Sequence, residues 1–461
     1  MKLHRTVLRG TAIAGGVVAL IILTILAGRA PVGGDVPVAA DATPDNVPAA
    51  RNVVIMISDG CGFNHLQAAA IYQHGTPTSP LYESFPVRLA MTTFAAGGSY
   101  EPERAAADFA YVKEGATDSA AAATALACGV KTYAGAIGVG EDKQPLRNVV
   151  EHAEALGKAT GVVTSVQLSH ATPAGFVAHN ESRNNYVEIA SEMINESAVD
   201  VIMGAGHPEY DDNARPRDGE REYRYVGGEE TWRALRAGTA GADADGDGDP
   251  DPWTLIESLE QFRALQQGDA PPRAIGVPRV ATTLQQKRAG DPMATAFEVP
   301  FNDGVPTLPE MTLGALNVLH ADPDGFLVMV EGGAVDWASH ANQPGRLIEE
   351  QIDFDRAVAA VVEWVEANSS WDETLLVVTA DHECGYLTGP DADPTALVSR
   401  GAGVMPQMEF HSGSHTNSLV PLFARGPGAE ALQSVADGSD PVRGAYLDNT
   451  QVARLVFAAL R

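Results

Sequence analysis

Cysteine, lysine and aromatic side chains are scarce in this chain. Three cysteines, Cys61, Cys128 and Cys384, among 461 residues exclude a disulfide scaffold. Their spacing matches no dedicated cysteine metal site, and either one bridge with a free thiol or three buried thiols is compatible with it. Aromatics make up 6% of the residues, so the 45% hydrophobic share rests on Ala, Val and Leu. Basic residues number 31, only six of them lysines, against 60 acidic ones, for a net charge of -29. Such a surface repels a polyphosphate backbone and argues against a nucleic-acid partner. It favours solubility and suits a salty environment that screens the repulsion. Apolar residues and turn formers, 46 Gly and 29 Pro, are plentiful, which fits a large core with many turns and excludes wholesale disorder.

The N-terminus carries Lys2, Arg5 and Arg9 and then an uncharged run, Thr11 to Gly28. Residues 1–30 therefore read as an export signal or a retained N-terminal anchor. Residues 31–50, rich in Pro, Ala, Gly and Asp, read as a tether to a catalytic domain over 51–461. The expected location is periplasmic or extracellular, with membrane contact only if the N-terminal segment is retained.

Several β-rich runs end in polar clusters. Asn52–Ser58 leads to Asp59, Gly161–Leu168 to His170, Phe326–Val330 to Glu331 and Thr374–Thr379 to Asp381-His382, while Leu419–Phe423 follows His415. Helical patterns lie between them, at Ser119 to Cys128, Leu146 to Ala159, Tyr186 to Glu196, Arg346 to Asn368 and Asn449 to Leu460. Near-continuous apolar strands alternating with helices predict an α/β fold with a mostly parallel central sheet flanked by helices. The charged residues then gather at the carboxyl rim, where open α/β sheets place ligands. Residues 207–309 break the rhythm and read as an acidic insertion with a short helix around Trp253 to Gln267. Within it, Asp243, Asp245, Asp247 and Asp249 alternate as in the start of a calcium loop. The twelfth position is Thr254, where a bidentate glutamate is expected, and the nearest candidate is Glu257; a plain acidic surface loop is the alternative.

Asp336 and His340, four residues apart, share one face of a helical turn. With Asp59, Glu331, Asp381-His382 and His415 on the same rim, they form a carboxylate and imidazole set suited to zinc, with oxygen-rich neighbours suited to magnesium. Ser119 opens an alanine-rich helix, whose amides and positive end favour an incoming phosphate. Asp118 or Ser119 is otherwise an N-cap, and no Gly-x-Ser-x-Gly elbow surrounds Ser119.

Together, Asp59, Thr117-Asp-Ser-Ala120, His170-Ala-Thr172, Ser182-Arg183, Asp336 through His340, Asp381-His-Glu and Ser414-His-Thr resemble the bacterial alkaline phosphatase family. The ordered motifs run from Asp59 to His415. The resemblance implies that Asp336, His340 and His415 hold one zinc and that Asp59, Asp381 and His382 hold a second. Thr172, Glu331 and the bridging Asp59 would hold magnesium. Ser119 would be the nucleophile and Arg183 the phosphate clamp, hydrolysing small phosphate monoesters through a phosphoserine in a homodimeric enzyme. His170 stands where family members carry Asp or His, so it leaves magnesium ligation partly to water or accepts zinc in the third site. Trp337 stands where some carry Lys or His, offering an apolar wall to the leaving group. Both resemble the branch from marine or cold environments. Competing readings are a phosphodiesterase or related phosphonate or sulfate ester hydrolase, and a non-catalytic, metal-stabilised phosphate-binding or surface adhesion protein.

Overall fold

The computed structural model describes residues 47–390 and 396–461. The leader and the tether through residue 46 lie outside the described residues. Val47 and Ala50 are buried, and the Ala50 N–H donates to the Ala459 carbonyl at 2.9 Å, so these last tether positions belong to the packed fold.

The strands are β1 (Asn52–Ser58), β2 (Val87–Thr92), β3 (Ala159–Gln167), β4 (Val201–Ala205), β5 (Thr254–Ile256), β6 (Ala274–Gly276), β7 (Phe326–Gly332) and β8 (Thr374–Thr379). Four two-residue strands follow, β9 (Glu383–Cys384), β10 (Leu387–Thr388), β11 (Glu409–Phe410) and β12 (His415–Thr416). The last three are β13 (Val420–Arg425), β14 (Gly438–Asp440) and β15 (Gly444–Asp448). Among the described residues, eleven strands form one sheet in the order β14-β15-β2-β13-β8-β1-β7-β3-β4-β6-β5. From β8 to β5 every neighbouring pair is parallel, whereas β13 runs antiparallel to both β8 and β2.

All seven residues of β1 are buried because both faces of the sheet are covered. Alternation along the strand divides them: Val53, Ile55 and Ile57 join one apolar layer, and Val54 and Met56 the other. The first layer packs against the Ser119–Cys128, Ala171–Val177 and Thr450–Ala459 helices, the second against Leu308–Leu319 and the long Pro344–Asn368 helix. This matches the expected α/β architecture.

The expected helix over Trp253 to Gln267 divides into β5 and a shorter helix, Leu259–Leu265. Thr254–Ile256 pairs with β6, and Ser258 caps the helix by accepting from the Gln261 N–H at 3.3 Å. The 207–309 segment thus extends the central sheet by two parallel strands at the β4 edge. Among the described residues, no helix is long and apolar enough to cross a membrane.

Candidate active site

Register brings the rim together. Ile57 of β1 lies beside both Glu331 of β7 and Thr379 of β8, and Thr164 of β3 lies on the other side of Glu331. Asp59, Glu331 and Asp381 therefore emerge from adjacent strand ends. Gly60 closes the gap between the Asp59 turn and the helix bearing Asp336. It has φ 73°, and a Cβ there would sit 2.7 Å from the Asp336 Cα. Its N–H donates to the Asp381 carboxylate at 3.1 Å, and its carbonyl accepts from the Cys384 N–H at 2.9 Å. The β9–β12 pairing sets His415 opposite Cys384, delivering His415 to the same place.

Two of the histidines are oriented by their Nδ1 atoms. His340 Nδ1 lies 2.8 Å from the Gly413 carbonyl, and His415 Nδ1 lies 2.9 Å from the Thr117 carbonyl. These contacts turn each Nε2 towards the Asp336 carboxylate. The two Nε2 atoms stand 3.0 Å apart, each 3.4 Å from the Asp336 carboxylate. His382 stacks on His415 with ring centroids 3.7 Å apart. Its Nε2 lies 3.5 Å from Asp59, 3.3 Å from Asp381 and 3.2 Å from the Ser119 hydroxyl. Beside it, Asp59, His170 and Glu331 form a further group of candidate donors. Both Asp59 oxygens, Thr172 Oγ1, His170 Nδ1, one Glu331 oxygen and one Asp381 oxygen are buried without a hydrogen-bond partner.

An assembly of buried acceptors facing one another is unfavourable unless cations sit among them. Burial, then the charges of Asp381, Asp336 and Glu331, push the Asp59 carboxyl far above its ordinary range. Burial likewise raises Glu331 to about 7 and Asp381 to about 6. Burial and then Arg183 lower His170 to about 3, leaving a neutral imidazole. Burial opposes ionisation of Asp336, but hydrogen bonding from His415 and the nearby imidazoles hold it below the usual carboxylate range. Carboxylates and neutral imidazoles are the donors of hard and borderline divalent metals, so the residues present fit a multi-metal centre.

Ser119 begins a helix whose ten residues, Ser119–Cys128, are all buried. Its alanines favour the helix and permit a close neighbour: a Cβ at Gly175 would lie 2.9 Å from the Ala123 Cβ. One Asp118 oxygen caps the helix through Ala121 N–H at 3.2 Å and also accepts from Gly135 N–H at 3.0 Å. The other holds Arg183 Nη1 at 2.9 Å, while Arg183 Nη2 lies 3.4 Å from His170 Nε2. Ser119, Arg183, His170, Asp336, His340 and His415 line a pocket of about 580 Å³, with Trp337 in its wall.

Of the two N-cap candidates, Asp118 or Ser119, Asp118 is the cap, and its grip on Arg183 becomes visible only when segments 65 residues apart meet. Thr164, a hydrogen-bond donor to Glu331, carried no signal inside an apolar strand. Cys384 joins Asp336, His340 and His415 as a possible donor, the one cysteine with such company. On the acidic loop, Asp243 and Asp245 gather with Asp251, not with Asp247 and Asp249. Asp243, Asp245 and Asp247 each accept from loop backbone amides, Thr254 lies in β5, and Glu257 pairs with His207 at 2.9 Å. Asp243 and Asp245 thus stand with Asp251 as possible donors, while Thr254 and Glu257, the positions considered for the twelfth ligand, are engaged elsewhere.

Fold and rim define an α/β protein with clustered carboxylates and imidazoles able to coordinate metal ions beside a helix-borne serine. The alkaline phosphatase family pattern matches residues 50–236 and 280–404, more than half of the chain, and the chain belongs to that family. It is 30% identical to alkaline phosphatase 4 of Bacillus subtilis over 73% of this chain and 62% of that protein. It is 29% identical to alkaline phosphatase H of Pseudomonas aeruginosa over 85% of this chain and 83% of that one. Among solved structures, the alkaline phosphatase of the Antarctic bacterium TAB5 is similar at 25% identity with a TM-score of 0.62, covering 89% of this chain and 98% of its own. The cold-active enzyme of the psychrophile Shewanella sp. is similar at 25% identity with a TM-score of 0.64, covering 89% of this chain and 100% of its own. These likenesses agree with the resemblance to the branch from marine or cold environments. Family membership supports hydrolase activity and phosphate monoesters as substrates.

Proposed function

We propose that the protein hydrolyses phosphate monoesters to an alcohol and inorganic phosphate through a phosphoserine at Ser119. The observation carrying this is the cluster of unpaired buried polar atoms beside Ser119 and Arg183, two residues that share one pocket. Asp336, His340 and His415 would hold one zinc, Asp59, Asp381 and His382 a second, and Thr172, Glu331 and Asp59 a magnesium, with His170 beside the third site. Bound there, the metals supply Lewis-acid charge that stabilises the serine alkoxide and the departing ester oxygen.

Arg183 presents its fork to two phosphate oxygens while Asp118 holds the opposite edge of the guanidinium. The first turn of the Ser119 helix adds its positive end to that anion site. Ser119 Oγ forms a bond to phosphorus as the ester P–O bond breaks, and the proton lost by the serine passes by way of solvent to the departing alkoxide. Water then attacks phosphorus, the Ser119 O–P bond breaks, and the serine regains its proton as phosphate leaves. The apolar face of Trp337 lies where a leaving group would rest.

The N-terminal segment and the acidic composition support an exported enzyme in the periplasm or outside the cell, anchored only if that segment is retained. A homodimer is what the family resemblance implies. The test is phosphate release from an aryl monoester and a matching diester, with and without chelator. Metal-replete protein should turn over the monoester much faster, chelation should abolish turnover, and Ser119→Ala should lose both turnover and the acid-stable phosphoenzyme. Diester turnover exceeding monoester turnover, or a phosphoenzyme in Ser119→Ala, would overturn this reading.

A further inference from the structure

The pocket of about 580 Å³ leaves room for much of a leaving group as well as the phosphate. One wall comes from the 207–309 segment, through Gln286, Lys287 and Arg288. The four cations lining the pocket differ in how they are engaged. Arg183 is held by Asp118. Arg288 donates to the carbonyls of Pro300, Gln285 and Val299 and to Glu349, and Arg346 pairs with Glu349. Lys287 is exposed, and among the described residues it has no carboxylate partner; its ammonium lies 5.6 Å from the centre of the Trp337 ring. It is one of only six lysines in a chain of net charge -29, and it stands at the mouth of the site.

Trp337 is itself wedged between Lys287 and His170, whose ring centroid lies 5.7 Å away. Its indole therefore connects the reaction centre to the ammonium. On the same wall Gln286, only 4% exposed, donates to Gln343 at 2.9 Å and keeps a buried carbonyl oxygen with no partner. An apolar ring face, an uncommitted cation at its edge and a buried acceptor beside them form a recognition set, and none of the three is needed to hold the transferring phosphate.

We propose that Lys287, with Trp337 and Gln286, forms a leaving-group subsite selecting phosphate monoesters whose alcohol portion carries a planar ring and a second anionic group. The ring lies against Trp337, and the second anion is drawn to the Lys287 ammonium. This rests on the phosphomonoesterase reading above. An exposed ion pair is worth at most about fivefold in affinity, so selection acts chiefly on KM.

The experiment compares kcat/KM for phenyl phosphate and 4-carboxyphenyl phosphate in metal-replete wild type, Lys287→Ala, Lys287→Glu and Lys287→Arg at low salt. Intrinsic leaving-group reactivity cancels when the ratio for the two esters is compared between proteins. The carboxyphenyl-to-phenyl ratio should fall about threefold to fivefold in Lys287→Ala and further in Lys287→Glu. It should be kept in Lys287→Arg, and the wild-type preference should fade as salt rises. An unchanged ratio across all four proteins overturns the subsite alone. Wild type that hydrolyses neither ester overturns the phosphomonoesterase reading, and the subsite with it.

Discussion

Asp118 illustrates how one carboxylate can serve two structures. One oxygen closes the first turn of the Ser119 helix and the other aligns Arg183, so the proposed nucleophile and the proposed clamp are positioned by the same side chain. Asp118→Asn keeps an acceptor for the cap but replaces the guanidinium's partner oxygen with an amide. Phosphate should then inhibit about tenfold less well, with the cap worth about 1 kcal/mol of stability largely retained. Product inhibition and thermal unfolding measured side by side distinguish the two roles; undiminished phosphate affinity would show that Arg183 needs no such support. Residues of this kind resist sequence reading for a physical reason. Asp118 looks like any N-cap, and Thr164 like any β-branched strand residue, until a distant segment supplies the partner. The metal-type donors were more legible, because carboxylates and histidines at the ends of apolar strands are costly there unless something pairs with them.

At the scale of elements, the strands and the Ser119 helix were the clearest features. Asn52–Ser58 and Thr374–Thr379 form strands with the anticipated bounds, and Ser119–Cys128 forms the anticipated helix, because length and apolar continuity leave few alternatives. The long Pro344–Asn368 helix carries a less obvious device on its buried side. Asp355 accepts from the Tyr82 hydroxyl at 2.7 Å and the Gln351 amide at 2.8 Å, and burial raises its pKa to about 6. Between the ordinary carboxylate value and about 6, the folded chain holds a proton that the unfolded chain has released. Stability from this group is therefore present at low pH and falls as pH rises through that window. Asp355→Asn keeps the acceptor used by both donors and removes the titration. Its stability relative to wild type should improve by about 2–3 kcal/mol between roughly pH 4 and pH 7. Denaturant unfolding at both ends of the window measures the difference, and a pH-independent value would show that Asp355 titrates normally.

For the whole molecule, charge is the dominant variable. A net charge of -29 opposes compaction, and metal ions held at the candidate site would neutralise only a local part of it. Raising sodium chloride from about 0.1 M to about 1 M shortens the Debye length from about 10 Å to about 3 Å. The metal-replete protein should melt at least about 2 °C higher in the stronger salt; a melting temperature that falls or stays constant would mean that the acidic surface is already compensated. Composition, strand periodicity and the residue types at strand ends, all local properties, already specified a mostly parallel α/β fold and a carboxylate-rich rim with Ser119 nearby. Pairing and register lay beyond local pattern. Folding places His415 against Cys384, lets Gly60 bring Asp59 and Asp381 up to Asp336, joins Asp118 to Arg183 and inserts Lys287 into the pocket wall. Side-chain chemistry and periodicity are written along the chain, whereas the partner that satisfies or leaves unsatisfied each buried polar group is chosen only when distant segments pack.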